Sequence, residues 1–366
     1  MEKKKIDKLS PALRRLIEPD NRKSVGSLSE IVKKSKKPVS SFAETTLKHI
    51  NGGSTMQAAL WLKNHIDHGG KLVVTLAGAL SSFEVGVMLA ELIRQNKVHL
   101  VSATGANHEE SYYRYVAHSH YANIPRYTEL TPEQEAELRD AGLRRITDTF
   151  LPEDESVRIM EPHLLKMWQE AQKKGEKYFP HEYFRRLFAE KLIKPDKQAN
   201  PKDCWTLAAY EKNIPIVIPG FEDSTMGNIF ASYTYKGQHK KKEDVFLDGN
   251  VMKTGLEYFH LMYDWYIKES KNSPIAFLHL GGGISADFPL CVVPSLKHDL
   301  RMHGKVRDWA GFIEIGSSPM SYGSYSGAGG KEKITWDKLS TQSYYQIIQS
   351  DVTLAFPWIA AVLLGL

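Results

Sequence analysis

Five short apolar runs, each ending in small or polar residues, constrain the fold of this chain more than any other feature. They are KLVVTLAGALSS (71–82), KVHLVSATGANHEE (97–110), IPIVIPGFEDSTMGN (214–228), IAFLHLGGGIS (275–285) and AGFIEIGSSPMS (310–321). A nearly continuous Val/Ile/Leu run is typical of a strand that is buried on both faces of a parallel sheet. Amphipathic segments such as 82–96 and 251–270 lie between the runs. The alternation predicts an α/β fold, with a doubly wound, mostly parallel sheet and helices on both faces.

The residues at the ends of these runs are of types suited to binding a ligand. In doubly wound sheets the ligand lies beyond the carboxyl ends of the strands, and Gly, Ser, Thr, Asp and Glu collect there in this chain. Glycine lets backbone N–H groups approach a phosphate, and helix N-termini favour anions. Turn chemistry explains any one of these ends, and GGGIS (281–285) is not the GxGxxG fingerprint. Five such ends together favour a wide dinucleotide site.

Composition places the chain among globular proteins of a reducing compartment. Of its 366 residues, 25% are charged and 42% are hydrophobic, and no Pro-, Gly- or Ser-rich linker or internal repeat divides it. Two cysteines, Cys204 and Cys291, exclude a disulfide framework and a four-thiolate metal site. No signal peptide is visible, and the apolar C-terminal stretch 354–366 is too short to span a bilayer. We therefore expect a cytoplasmic protein without membrane contact, in which 354–366 forms a buried helix.

The positive charge of the chain lies at its N-terminus. Residues 1–37 hold 12 Lys/Arg and 5 Asp/Glu, whereas the net charge of the whole chain is only +5. No aromatic residue in this segment could stack on bases, so nucleic acid is not the predicted partner. We interpret residues 1–40 as a basic N-terminal extension, 41–366 as a single domain, and the basic run 236–244 as a surface loop.

The segment 111–200 reads as a mostly helical insertion. Its stretch 130–146 opens with a threonine and a proline, the residues expected at the cap and first position of a helix. The following stretch 156–193 is aromatic and amphipathic. We expect it to pack on the sheet or on a neighbouring subunit.

The stretch GKEKITWDKL (330–339) combines residues suited to amine chemistry. A tryptophan face such as that of Trp336 attracts organic cations, a carboxylate such as that of Glu332 pairs with them, and a lysine such as Lys338 can form a Schiff base. An ordinary helix face with a solvated lysine is the alternative interpretation. Other constellations lack support: the histidine pairs at 65/68 and 118/120 have no HExxH arrangement, and neither a GxSxG elbow nor a P-loop occurs.

Five motifs in a fixed order connect the strand ends with this stretch. They are SATGANHEE, NIPIVIPGFEDSTMGN, LHLGGG, GSYSGAGGKEKITWDK and DVTLAFP. From about residue 40 to the C-terminus, the chain resembles the deoxyhypusine synthase family. The resemblance implies a Rossmann-like sheet, bound NAD, and a homotetramer with active sites at subunit interfaces.

The resemblance also implies a chemistry. In that family NAD takes hydride from spermidine, a lysine attacks the resulting imine, and 1,3-diaminopropane leaves. The 4-aminobutyl group then passes from the lysine to an acceptor amine, and the stored hydride reduces the new imine. No net redox occurs.

By their positions in the motifs, residues of this chain match the functional residues of the family. Lys338 takes the place of the Schiff-base lysine, and Trp336 and Glu332 take those of the residues that hold the polyamine. The resemblance assigns NAD contacts to seven further residues: Ser81, Gly105, Glu109, Asp223, Gly282, Ser317 and Asp351.

Three positions depart from the family motif. Tyr325 and Asn228 replace aspartates that normally face the cationic donor, and Asp287 replaces a histidine. Because charge-assisted hydrogen bonds are the stronger kind, losing two carboxylates should weaken polycation binding. We predict that Asp287 binds substrate and restores one negative charge.

The sequence leaves three functions open. The leading hypothesis is NAD-dependent transfer of an aminobutyl-type group from a polyamine or related amine through a Lys338 imine, with a protein lysine as one possible acceptor. The second is transfer to a small amine, as in homospermidine synthases. The third is a non-catalytic NAD- or polyamine-binding protein, against which Lys338 argues, because a binder needs no nucleophile.

Overall fold

A parallel six-stranded sheet forms the centre of the molecule. The computed structural model describes residues 33–236, 245–323 and 327–366. The strands lie in the order β6-β2-β1-β7-β8-β9, and every neighbouring pair is parallel. Their bounds are Lys71–Leu76 (β1), Leu100–Ala103 (β2), Ile216–Val217 (β6), Ile275–Leu280 (β7), Trp309–Gly316 (β8) and Leu339–Gln349 (β9). Counted along the chain, this is the order 3-2-1-4-5-6 of doubly wound dinucleotide-binding sheets, which confirms the predicted fold class.

Helices surround the sheet and connect its strands. Their bounds are Pro38–Thr46 (α1), Ile50–Asp67 (α2), Gly86–Arg94 (α3), Gly105–Ala117 (α4), Pro132–Asp140 (α5), Glu153–Lys174 (α6), Pro180–Ala189 (α7), Trp205–Glu211 (α8), Thr225–Thr234 (α9), Gly255–Ser270 (α10), Ile284–Leu290 (α11), Val292–His298 (α12), Glu332–Thr335 (α13) and Val352–Leu364 (α14). The predicted cap of α5 is confirmed, since Thr131 and Gln134 form a reciprocal capping box. The apolar C-terminal stretch forms the largely buried helix α14, as predicted.

A second, three-stranded antiparallel sheet lies inside the segment that the sequence analysis reads as helical. Its order is β3-β5-β4, with bounds Ala122–Asn123 (β3), Leu143–Ile146 (β4) and Thr149–Pro152 (β5). The expectation of a mostly helical insertion is therefore incomplete. Strands of two to four residues are too short to show a period-2 pattern, so the sequence does not separate them from loops.

The sixth strand of the central sheet, β9, is also absent from the sequence analysis. Its sequence LSTQSYYQIIQ is polar and mostly not buried, because β9 lies at the sheet edge. Its pairing with β8 is interrupted: Leu339 pairs with Trp309 and Tyr344 with Gly311, so that β9 advances five residues while β8 advances two. This bulge separates the start of β9 from the regular register that follows it. Lys338 directly precedes β9 and so lies near the amino end of that strand.

The core of the molecule is apolar, but the central strands also bury polar side chains. Strands β1, β2 and β7 are almost fully buried, and the apolar cluster around them includes side chains from α1 to α14. Among the described residues, no helix is both long and apolar enough to cross a membrane. Three predicted features fall outside those residues: most of the N-terminal extension, most of the basic run 236–244, and Tyr325.

Candidate functional site

A tight helix end positions Lys338. Helix α13 is only four residues long, and after it Asp337 adopts a left-handed conformation with φ 57°. The Lys338 N–H donates to the carbonyl of Lys333, and the Asp337 N–H donates to that of Ile334, both at 3.0 Å. These two bonds form a Schellman motif, which usually has glycine at the left-handed position. The motif fixes the direction in which the chain leaves the helix and enters β9.

The side chain of Asp337 anchors this turn to helix α12. The buried Lys297 donates to Asp337 Oδ1 at 3.2 Å, and Asp337 Oδ2 lies 3.0 Å from His298 Nε2. Lys297 also forms an ion pair with Asp308. Asp337 thus makes carboxylate contacts at a left-handed position that glycine would adopt without strain.

The four predicted amine-side residues lie around one cavity. The cavity has a volume of about 460 Å³ and is lined by Asp287, Cys291, Pro294, Ala328, Glu332, Lys333, Trp336 and Lys338. Lys338 Nζ donates to Asp287 Oδ1 at 3.0 Å. The Lys338 side chain is only 12% exposed, whereas Trp336 is 65% exposed. A lysine amine, two carboxylates and an indole are therefore within reach of one small ligand.

Asp287 also connects this cavity with the glycine-rich turn after β7. A second, more apolar cavity of about 470 Å³ is lined by Phe259, Gly283, Ile284, Asp287, Phe288 and Cys291. The two cavities share Asp287 and Cys291. Burial raises the pKa of the Cys291 thiol, which disfavours a thiolate nucleophile there.

Two buried ionisable side chains, a lysine and a glutamate, are absent from the sequence analysis. Lys333 is 2% exposed and Glu314, on β8, is 1% exposed. Burial lowers the pKa of Lys333 and raises the pKa of Glu314, and each charge opposes the shift of the other. The signal in the sequence is a charged residue inside the apolar run GFIEIG. Lone charges in strands are common at sheet edges, so this signal is weak.

The seven predicted cofactor-side residues lie near the carboxyl edge of the central sheet. Six of them follow a strand, and Glu109 lies one turn into the helix after β2. They do not share one cavity. Glu109 and Asp223 line a cavity of about 840 Å³, whereas Asp351 lines another of about 890 Å³. Ser317 is exposed.

Several of these residues are engaged in contacts that hold the strand-end loops. Ser81 is buried, and its Oγ accepts a hydrogen bond of 3.0 Å from Trp205 Nε1. A Cβ at Gly105 would lie 2.6 Å from Ser224 Cβ, so close helix packing itself requires glycine there. Asp351 caps α14 by accepting from the Thr353 N–H at 2.7 Å.

Glu109 joins two elements at the same edge. Its Oε1 and Oε2 accept from the N–H groups of Thr225 and Met226 at 2.9 and 2.8 Å, at the start of α9. Burial outweighs these bonds and raises the pKa of Glu109 to about 7. The carboxylate that the resemblance assigns to NAD thus already holds a helix N-terminus in this structure.

The edge nevertheless fits a dinucleotide at its topological switch point, between β1 and β7. Gly281 and Gly283 flank Gly282 with φ values of 93° and 92°, which side-chain-bearing residues rarely adopt. A Cβ at Gly281 would lie 2.8 Å from Ala77 Cβ, so the two strand-end loops approach closely here. Bare backbone at the switch point is what a pyrophosphate needs.

Of the two positions that replace family aspartates, the described residues include one. Asn228 is exposed on α9, and its Nδ2 donates to the carbonyl of Glu222 at 2.6 Å. It lines the cavity of Glu109 rather than that of Lys338. The structure therefore does not bring Asn228 together with the amine-side residues.

Comparisons with known proteins agree with this class of fold. The family model described as deoxyhypusine synthase matches residues 39–363. A deoxyhypusine synthase-like protein of Chlorobaculum parvum is 24% identical over 295 residues, covering 79% of this chain and 75% of the relative. A Sulfurisphaera tokodaii protein named "Probable deoxyhypusine synthase" is 24% identical over 314 residues, covering 85% and 88%.

A solved structure shows the same fold. The crystal structure of an Entamoeba histolytica protein assigned as a deoxyhypusine synthase superposes with a TM-score of 0.52 at 11% identity, covering 88% of this chain and 91% of that one. The fold and its glycine-rich switch point define a Rossmann-like α/β protein. The chain belongs to the deoxyhypusine synthase family, and the predicted resemblance is confirmed. The family is one of aminobutyl transferases.

Proposed function

We propose that this protein transfers an aminobutyl-type group from a polyamine or related amine to an acceptor amine, through an imine on Lys338. The observation that carries the proposal is the single cavity in which Lys338, Asp287, Glu332 and Trp336 meet. Nothing in the stability of the fold requires an indole to be 65% exposed beside two carboxylates. Binding an organic cation gives these groups a common purpose.

Each residue has a definite part in this reaction. The Trp336 face and the Glu332 carboxylate hold the ammonium groups of the donor. Asp287 orients the Lys338 amine by its 3.0 Å contact and binds a substrate nitrogen in turn. Lys338 attacks the imine carbon of the oxidised donor, the bond to the departing amine breaks, and the retained group passes to the acceptor.

NAD is the proposed cofactor, and it would accept hydride from the donor carbon and return it to the product. The glycine-rich turn 281–283 would admit its pyrophosphate, while Asp223 and Asp351 would offer carboxylates to its ribose hydroxyls. Ser81, Gly105 and Glu109 would shape these loops through the contacts described above. The apolar cavity lined by Gly283 and Asp287 would give a route from this edge to Lys338, because Asp287 also lines the cavity of Lys338.

Charge limits the donor. Asp287 and Glu332 are the carboxylates that line the cavity among the described residues, and Lys333 and Lys338 line it too. A donor with fewer positive charges than spermidine fits this balance better, so we propose putrescine-like and guanidino amines, as well as spermidine, as candidate donors.

We further propose a cytoplasmic homotetramer in which a neighbouring subunit covers the exposed face of Trp336. The acceptor is then a small amine or a protein lysine that reaches the same cavity.

Borohydride trapping tests the proposal directly. The protein would be incubated with NAD and with spermidine, putrescine or agmatine, then reduced and digested for peptide mass spectrometry. We expect an NAD-dependent adduct on Lys338, whose mass identifies the transferred group. Lys338→Arg should abolish it, whereas Lys331→Arg, at an exposed lysine of the same segment, should leave it unchanged.

The outcomes separate the rival functions. Adduct on Lys338 together with release of a free amine supports the transferase. Binding of NAD and amines that survives Lys338→Arg, with no adduct in the wild type, would instead support the non-catalytic binding protein. Adding small amines or lysine-containing proteins to the trapped reaction then distinguishes the two kinds of acceptor.

A further inference from the structure

Three side chains that can ligate a metal ion meet beside the turn that precedes Lys338. His298, His303 and Asp337 each offer one ligand atom, and these atoms all lie within 4.8 Å of one another. Among the residues that the structure describes, this is the one group of at least three His, Cys, Asp or Glu side chains to do so. Two imidazoles and one carboxylate are a ligand set that zinc uses in proteins, with water in the fourth position.

The segment after α12 folds back onto that helix, so that His303 returns beside His298. The Met302 N–H donates to the carbonyl of Leu296, inside the helix, at 3.0 Å. Arg301 has a φ of 53°, a left-handed conformation that reverses the chain after a helix. The two imidazole rings meet edge to face, with their centroids 4.7 Å apart. The backbone of this segment therefore places the two histidines next to each other.

Asp337 reaches the same place from the turn between α13 and β9. Its Oδ1 accepts a hydrogen bond of 3.2 Å from Lys297, and its Oδ2 lies 3.0 Å from His298 Nε2. Lys297 is buried and also pairs with Asp308. One ammonium between two carboxylates leaves a net negative charge, which favours a cation. Partners that hydrogen-bond a ligating carboxylate also fix its orientation.

The spacing of the ring nitrogens suits a transition metal ion. His298 Nδ1 and His303 Nε2 are 3.2 Å apart, and two ligand atoms that are each ~2.0–2.1 Å from a tetrahedral zinc ion lie ~3.3 Å from one another. Oδ2 of Asp337 faces the other nitrogen of the His298 ring. Side-chain rotation brings all three ligands to a common point, and it is open to them because none of the three is buried.

An ordinary ion pair is the alternative explanation of this cluster. It accounts for His298 and Asp337, but it gives the second imidazole no part. Protonation of both rings would also place two positive charges side by side. A metal ion binds imidazole in its neutral form and uses both rings at once. Imidazole suits zinc and its neighbours in the transition series, whereas Mg²⁺ and Ca²⁺ prefer oxygen ligands.

We propose that His298, His303 and Asp337 bind a divalent transition metal ion of the zinc class, with water as the remaining ligand. The ion joins the end of α12, the segment after it and the turn before β9. Because Asp337 directly precedes Lys338, the bound ion fixes the backbone from which that lysine extends. None of the three ligands lines the cavity of Lys338, so the inference does not depend on the proposed function.

Isothermal titration calorimetry with ZnCl₂ tests the site on the full chain, produced without a histidine tag. We expect one tightly bound zinc ion per chain in the wild type, and no comparable binding of MgCl₂. The loss of an outer-shell partner already lowers metal affinity roughly 10–100-fold, so His303→Ala, which removes a ligand, should weaken zinc binding at least ~10-fold. His260→Ala is the matched control, because His260 is an exposed histidine on α10 outside the cluster. It should bind zinc like the wild type.

A second variant and a folding control complete the test. Asp337→Asn keeps the shape of the side chain but removes its charge, and it should also weaken zinc binding. Without zinc, the circular dichroism of His303→Ala should match that of the wild type, because His303 is exposed. Zinc should raise the midpoint of thermal unfolding in the wild type and in His260→Ala but not in His303→Ala, since an ion that binds the folded state stabilises it.

Three results would overturn the site. They are a wild type without a tight zinc site, equal zinc affinity in the wild type and His303→Ala, and binding of Mg²⁺ as tight as that of zinc. None of these measurements involves an amine substrate or the Lys338 adduct. Failure of the metal site therefore leaves the proposed function standing, and the borohydride experiment tests that function separately.

Discussion

The candidate functional side chains around the cavity of Lys338 differ in burial from those at the carboxyl edge of the sheet. Around Lys338, Trp336 and Glu332 are exposed and contribute little to packing. At the carboxyl edge, Gly105 and Glu109 are buried and hold helix starts together. The first region keeps its side chains available for a ligand, whereas the second has built several of them into the fold. Mutations should therefore separate activity from stability in the first region and couple them in the second.

The largest expected effect is a pH dependence of stability that arises from Glu110 at the carboxyl edge. Burial raises the pKa of Glu110 to about 8, above its ordinary value of 4.5. The folded state then binds a proton that the unfolded state has lost, so stability should fall as pH rises from about 4.5 to about 8. At about 1.4 kcal/mol per pKa unit, this loss amounts to several kcal/mol. Glu110→Gln should flatten this part of the curve, measured by urea unfolding between pH 4.5 and 9. If the unfolding free energy of the variant fell with pH as steeply as that of the wild type, the raised pKa of Glu110 would be contradicted.

The next largest effect is the loss of stability expected for Glu109→Ala, compared with Glu332→Ala in the other region. Glu109→Ala removes the acceptor of two N–H groups at the start of α9, and we expect a loss of about 2–3 kcal/mol in unfolding free energy. Glu332→Ala removes a carboxylate from the exposed side of the other region. It should change stability by less than about 0.5 kcal/mol while lowering the yield of the Lys338 adduct. Equal losses of stability in the two variants would contradict the difference between the two regions.

Gly105→Ala tests whether packing, rather than cofactor binding, demands the glycine. The added Cβ would meet Ser224 at 2.6 Å, and overpacking of this kind costs about 1–3 kcal/mol. The loss should appear in thermal unfolding without NAD. Gly249→Ala serves as the control, because no atom lies within 4 Å of a Cβ there.

The smallest expected effect lies in the turn before Lys338. Asp337→Gly relieves a left-handed residue but loses the contacts to Lys297 and His298, so we expect a net change near zero. Asp337→Ala loses the contacts and keeps the strain. The difference between the two variants should be about 1 kcal/mol in favour of glycine. A more stable alanine variant would show that Asp337 is not strained.

Much of the central sheet follows from the sequence, because buried parallel strands leave long Val/Ile/Leu runs. The runs at β1, β7 and β8 and the apolar stretch of α14 are each found where the pattern predicts them. The strand β9 escapes prediction because an edge strand need not be apolar. Its sequence therefore resembles that of a loop.

The site is predictable only where its residues are close in sequence. Glu332, Trp336 and Lys338 share one short stretch, so a motif reveals them. Residues from different elements leave no such motif: His279 on β7 and Glu314 on β8, for example, share a face of the sheet only because of strand register. Local sequence carries no information on register between distant strands. The departure at 228 also shows the limit, since the described structure does not place Asn228 in the cavity of Lys338.

The bulge between β8 and β9 leaves the position of Lys338 adjustable. Beyond Tyr344 the edge strand is fixed by its regular pairing with β8, but the residues between Leu339 and Tyr344 are not held to that spacing. Residues gained or lost in this stretch would move Lys338 along the cavity while the sheet keeps its register. The position of Lys338, the proposed nucleophile, can thus change to suit a longer or shorter donor amine without any change in the core.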